Sequence, residues 1–107
     1  MDGIILLYVP VRDREEAKTM ATLLLEEQLI ACANIIPGMV SLYRWEGTIQ
    51  QAEEVLLIVK TTEGKRDVAM KRIEELHSYE CPCVTALVSA KTNDTFAKWV
   101  FSQVGID

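Results

Sequence analysis

The sequence is short of the residues on which most small catalytic and metal-binding domains depend. Its 107 residues include one histidine and three cysteines. Cys32, Cys81 and Cys83 are an odd set, which excludes a disulfide framework. Cys81 and Cys83 also sit too close together for easy bridging across extended chain, so the thiols read as reduced and the compartment as cytoplasmic. Cys-x-x-Cys spacing is absent, and with it a closed structural zinc site within one chain. Missing too are a Gly-x-Ser-x-Gly elbow and a glycine loop that could cradle phosphate. No nucleophile arrangement stands out, and the chain reads as a non-enzyme. Lysine and arginine form no run and the net charge is −5. That balance excludes a nucleic-acid partner, because nothing replaces the phosphate counterions, while it is compatible with cationic ligands. The apolar run Ile4–Val9 lacks a basic flank and is far too short to span a bilayer, so neither a membrane partner nor a targeting segment is expected.

What is present is ordinary globular composition, half apolar and a quarter charged. There is no linker, repeat or low-complexity stretch, and residues 1–107 are expected to form one domain. Ile4–Val9, ending at Pro10, predicts a central strand covered on both faces. Asp13 followed by Glu16 is a helix-start pair. Ala17, Met20, Ala21, Leu24 and Gln28 then recur at helical spacing, which predicts a helix over 14–28. Strand, helix and following strand make a crossover unit, so the first two strands should run parallel or lie nearly side by side. Thr61-Thr62 offers a second cap ahead of a helix over 64–77, with Val68, Ala69, Ile73 and Leu76 on one face. Pro82 then favours extended chain, 84–90 reads as a fourth strand, and Asn93 or Asp94 starts a short helix through Phe96, Trp99, Val100 and Val104. The order is β-α-β-β-α-β plus a terminal helix. It predicts an α+β, ferredoxin-like fold with a four-stranded antiparallel sheet and both main helices on one face. Such folds host unrelated activities, so the fold alone does not give the function.

The most informative stretch runs from Ala31 to Lys60. Two extended arms of about a dozen residues, roughly twice the usual strand, meet at the tight turn Trp45-Glu46-Gly47-Thr48. Strands that long overhang their own sheet, and an overhanging edge seeks another subunit. Tyr43 and Trp45 lie on one face near the tip, where they either anchor the hairpin on a neighbouring subunit or wall a cleft between subunits. Glu53-Glu54 reads as exposed edge charge that discourages uncontrolled pairing, and Lys60 as a strand-end charge or an anion contact.

Chemistry concentrates after the second helix, in His77-Ser78-Tyr79-Glu80-Cys81-Pro82-Cys83. Imidazole, phenol, carboxylate and two thiols fall within seven residues. They either line a pocket or form a rigid connection in which His77 meets the helix C-terminal carbonyls. Imidazole with thiolates suits a soft or borderline metal such as copper, with His77, Cys32, Cys81 and Cys83 as the donor set. Cys32 reads equally as a small core residue. The rival from another class is an enzyme pairing Cys32 or Cys83 with His77 across a subunit interface.

Three segments resemble one family: 31–38 (ACANIIPG), 41–47 (SLYRWEG) and Lys60-Thr61-Thr62. They are similar to the CutA proteins, the divalent-cation tolerance family, and the likeness extends from Ile4 to Trp99. The resemblance implies a tight homotrimer with a PII-like layout, interlocked by the overhanging hairpin. It also implies an association with copper and other divalent metals and no catalytic reaction. A metal ion or small molecule would then bind between subunits, in a cleft built from Trp45, Lys60, His77, Tyr79 and Glu80. The chain departs from the family pattern at Ser78, where a proline is common, at Cys83, where glutamate is frequent, and at Val9, where some members carry a cysteine.

Overall fold

The structure, a computed structural model, describes residues 3–105. Its elements are β1 (Ile4–Val11), α1 (Arg14–Glu26), β2 (Cys32–Trp45), β3 (Thr48–Thr62), α2 (Glu63–Leu76), β4 (Thr85–Val88) and α3 (Asp94–Val104). The strands form one sheet in the order β2-β3-β1-β4, every neighbouring pair antiparallel. With β3 between them, β1 and β2 point the same way. The β-α-β-β-α-β order with an appended helix is the one the sequence predicts. Among the described residues, no helix is long and apolar enough to cross a membrane.

Alternation along β1 assigns the layers. Ile5, Leu7, Val9 and Val11 are buried against Ala17, Met20, Ala21 and Leu24 of α1 and Ala69 and Ile73 of α2. Ile4 and Leu6 point to the opposite face, where α3 packs with Ala97, Val100 and Val104. Because strand side chains alternate between faces, one apolar run serves two layers. Cover on the α3 face is incomplete, however, and Tyr8 and Pro10 of β1 with Leu56 and Ile58 of β3 stay only half-buried. The expectation that β1 is covered on both faces therefore holds for its first half alone.

Several boundaries differ from the sequence reading, each for a local reason. Strand β1 runs through Pro10 to Val11 because β4 ends opposite Tyr8. Beyond that point Pro10 faces an unpaired edge, where its missing N–H costs the ladder nothing. Helix α1 stops at Glu26, and Gln28, read as its last turn, adopts φ 60°. Gln28 N–H bonds to Leu25 C=O and Leu29 N–H to Leu24 C=O, the paired bonds of a Schellman close. That left-handed position favours glycine, so Gln28→Gly is expected to stabilise the fold by about 1 kcal/mol, read as a higher urea midpoint. At α2, neither threonine caps by its side chain. Thr61 donates to Leu29 C=O at 2.7 Å, and Thr62 Oγ1 is buried without a partner among the described residues. Val68 is exposed rather than on the buried face of α2. The fourth strand is only Thr85–Val88, shorter than the expected 84–90.

The long hairpin forms as expected, 14 residues answering 15. Glu46 and Gly47 take φ 48° and 85°, both positive, the two-residue turn whose twist matches antiparallel strands. Partners run from Cys32↔Lys60 to Trp45↔Thr48, with one register shift between Ile36 and Met39. There Pro37 and Gly38 (φ 82°) oppose Val55 alone, a bulge that bends and twists the ribbon. Val55 is also the last β3 residue paired with β1. The bulge thus stands where the hairpin leaves the sheet, and residues 39–54 project as a two-stranded ribbon.

Candidate functional site

A cleft of about 730 Å³ opens where the ribbon departs from the body. Ser41, Tyr43 and Trp45 of β2 and Ala52 and Glu54 of β3 share one ribbon face, as their register requires. They meet Pro10, Arg12 and the segment after α2, which brings Tyr79, Glu80, Cys81 and Cys83 to the same cleft. The Tyr79 hydroxyl donates to Glu54 Oε2 at 2.6 Å. Burial, and then the Glu54 carboxylate beside it, push the phenol well above its ordinary pKa of 10. Tyr79 is therefore a neutral donor at any physiological pH, and it locks the loop to the ribbon.

The loop is positioned by a joint beneath the cleft. His77 ends α2, and its side chain is fully buried. Its Nε2 lies 2.9 Å from Pro10 C=O, and its Nδ1 accepts the Tyr79 N–H at 3.1 Å. This pattern assigns the neutral Nε2–H tautomer, so the 3.9 Å approach of Nδ1 to Glu16 is not a salt bridge. The ring also stacks at a tilt on Tyr79, centroids 4.6 Å apart. Glu16 completes the joint. It accepts from Arg12 N–H at 3.0 Å and Ser78 N–H at 2.8 Å, while its own N–H is capped by Asp13 Oδ1 at 2.8 Å. One carboxylate thus ties the start of α1 to the exit of α2.

Burial alone would raise the Glu16 pKa, but the hydrogen bonds from Arg12 and Ser78 outweigh it and hold the carboxyl below its ordinary 4.5. A carboxyl lowered on folding stabilises above its unfolded pKa, and that contribution disappears as pH falls through the folded value. Glu16→Gln is therefore expected to cost about 2 kcal/mol at pH 7, the scale of hydrogen bonds to a charged acceptor. The gap to the wild type should close below pH 4.5. Urea midpoints taken from pH 7 to 3 check this, and a gap that stays constant would show that the charge is not involved.

The residues expected to form one site are only partly brought together. Trp45, Tyr43, Tyr79 and Glu80 converge on the cleft. Lys60 does not: it lies six residues beyond Glu54 along β3, roughly 20 Å away. There its Nζ donates to Asn34 Oδ1 at 2.6 Å and sits 5.7 Å from the Phe96 ring centroid. Cys32 pairs across the ladder with Lys60 and is equally remote. Glu54 corrects the reading of Glu53-Glu54 as edge charge. It shares the face of Leu56 and Ile58, a placement that period-two alternation through β3 could have given. Arg12 carried no sequence signal, and Glu16 was read only as part of a helix start, since its bond from Ser78 N–H reaches across 62 residues.

A divalent-cation site built from His77, Cys32, Cys81 and Cys83 does not fit this subunit. Both ring nitrogens of His77 are engaged, so no lone pair is free for a metal. Cys32 is at the far end of the sheet, and among the described residues no three His, Cys, Asp or Glu side chains converge in metal-binding geometry. The same distances separate Cys32 from His77 as a nucleophile pair, while among the described residues Cys83 Sγ has a hydrogen-bonding contact with Thr85 Oγ1 alone, at 3.4 Å.

Comparison with known proteins agrees with this fold and extends to almost every residue of it. The divalent-cation tolerance protein CutA of Thermus thermophilus is 39% identical over 105 residues, 98% of this chain and 100% of that protein. The chloroplastic protein CutA of Arabidopsis thaliana is 38% identical over 96 residues, 90% of this chain and 53% of that one, so the chain spans about half of the plant relative. A crystal structure of divalent ion tolerance protein CutA1 from Ehrlichia chaffeensis superposes with a TM-score of 0.94 at 35% identity, covering 99% of both chains. The family model described as CutA1 divalent ion tolerance protein matches residues 5–103, and this chain belongs to that family.

Proposed function

We propose that this chain works as a non-catalytic divalent-cation tolerance protein, a homotrimer of PII-like layout holding a metal ion or small ligand in clefts between subunits. The observation that carries the reading is the projecting ribbon. Its strands pair only with each other over residues 39–54, and one face bears Val40, Leu42 and Ile49 at 58%, 68% and 70% exposure. A lone subunit would leave both this apolar stripe and the ribbon edges to water. The opposite face, on the α3 side of the sheet, adds Tyr8, Ile36, Leu56 and Ile58 as further incompletely covered apolar surface, continued toward the tip by Tyr43 and Trp45, which wall the cleft. Copies of the same chain supply a complementary cover, because a closed ring repeats one contact without leaving an edge.

The cleft offers recognition rather than reaction. Its aromatic walls and the Tyr79–Glu54 pair can hold a ligand, but among the described residues no base stands beside a nucleophile. Three unpaired thiols suit a reducing compartment, and the reading places the protein in the cytoplasm. Light scattering on the purified protein at micromolar concentration is expected to give three times the 12.1 kDa subunit mass. A monomer mass overturns the proposal.

A further inference from the structure

Four rows of side chains cross the cleft face of the ribbon. The register pairs Trp45 with Thr48, Tyr43 with Gln50, Ser41 with Ala52 and Met39 with Glu54. Aromatics therefore stand toward the tip and a carboxylate toward the body, and the row between them carries only small side chains. Successive rows on one face are two residues apart, so the Tyr43 and Glu54 rows are separated by roughly 13 Å. Ser41 and Ala52 form the floor of that gap, within a cleft whose volume of about 730 Å³ is that of a small-molecule site.

The charge left open in this space is negative. Glu54 Oε2 accepts from the neutral Tyr79 hydroxyl at 2.6 Å, and its Oε1 has no hydrogen-bond partner among the described residues. Glu80 adds a second carboxylate to the wall. The two guanidiniums at the cleft do not answer them. Arg12 Nε pairs with Asp13 Oδ2 at 3.4 Å, and Arg44, opposite Ile49, alternates to the other face of the ribbon.

We infer that the cleft takes a small organic cation with a primary ammonium head and an aliphatic body. The head donates to Glu54, and the methylenes lie on the Ser41–Ala52 floor against Tyr43 and Trp45. An ammonium brings three donors and no acceptor, which complements a carboxylate that already holds one donor. The aromatic faces attract the same charge and exclude water from around it. A hard divalent ion matches less well, because it requires several oxygen ligands and no three such side chains converge among the described residues. The inference rests on the proposed reading of this cleft as the ligand site and adds the chemical class of the ligand.

Trp45 reports on the cleft once Trp99, the other of the two tryptophans, is changed to phenylalanine. The Trp99→Phe protein is titrated with n-butylammonium chloride, and in parallel with 1-butanol, sodium butyrate and potassium chloride. A saturable change in emission is expected for butylammonium alone, with a midpoint on the order of 1 mM for its five heavy atoms. Glu54→Gln keeps an acceptor for the Tyr79 hydroxyl and should weaken binding at least ~10-fold. Tyr43→Ala should weaken it about threefold. Glu53→Gln, on the opposite ribbon face, should bind like its parent. Equal binding of butanol, tighter binding of butyrate or the absence of any saturable response to butylammonium overturns the inference. So does a Glu54→Gln protein that binds like its parent, or a Glu53→Gln protein that loses as much. Mass measurement on the same samples separates the two readings. A trimer that binds no butylammonium refutes the cation inference alone, and a monomer that binds it refutes the trimer alone.

Discussion

Leu42→Lys combined with Ile49→Lys is expected to convert the proposed trimer into monomers at micromolar concentration. Both side chains stand on the outer face of the ribbon, at 68% and 70% exposure in the subunit. Covering each contributes about 1.5–3 kcal/mol, and ring symmetry repeats the loss at every interface. The added lysines must also be desolvated or brought against like charges of the neighbouring copy. Neither residue belongs to the core clusters, so far-UV circular dichroism should keep its subunit signature while the scattering mass falls threefold. A variant that stays trimeric with an unchanged midpoint would place the subunit contact on another surface.

His77→Ala is expected to cost about 3 kcal/mol of stability, combining a cavity at a fully buried ring with two broken hydrogen bonds. Pro10 C=O and the Tyr79 N–H would both lose their partners. The glutamine variant keeps a donor for Pro10 C=O without an acceptor for the Tyr79 N–H, and should recover about half the loss. Urea unfolding of the three proteins reads the series. If alanine and wild type unfold together, the imidazole does not organise the joint and a ligand role for His77 reopens.

The fold was largely legible because its signals are local. Asp13 and Glu16 announce α1, Glu46-Gly47 announces the hairpin, and the lengths of the two arms announce their overhang. The site was legible only in its aromatic half. Tyr43 and Trp45 follow from alternation near a turn, and Tyr79 and Glu80 from their crowding after α2. The meaning of His77 was hidden, since its partner is the carbonyl of Pro10, a group every residue carries and no sequence pattern marks. Lys60 stands apart from the cleft within one chain for a different reason. A strand of 15 residues separates its ends by more than a cleft's width, so residues on one strand need not serve one site.

The turn at Glu46-Gly47 also bears on the order in which the chain acquires its structure. Strands β2 and β3 are joined by two residues, so their ladder can zip from the tip on the ~1–10 μs scale of isolated hairpins. Pairing of β1 with β3 must first close the chain from Val11 to Val55, with the entropy of a long loop against it. A nascent subunit therefore carries its ribbon, apolar stripe uncovered, before the rest of the sheet exists and before a second copy is near. Arg44 and Glu53 lie on that same ribbon face, beside Ile49 and opposite Val40 respectively. Charges set within such a stripe interrupt indiscriminate strand addition, so the surface proposed to join finished subunits is guarded while they are still being made.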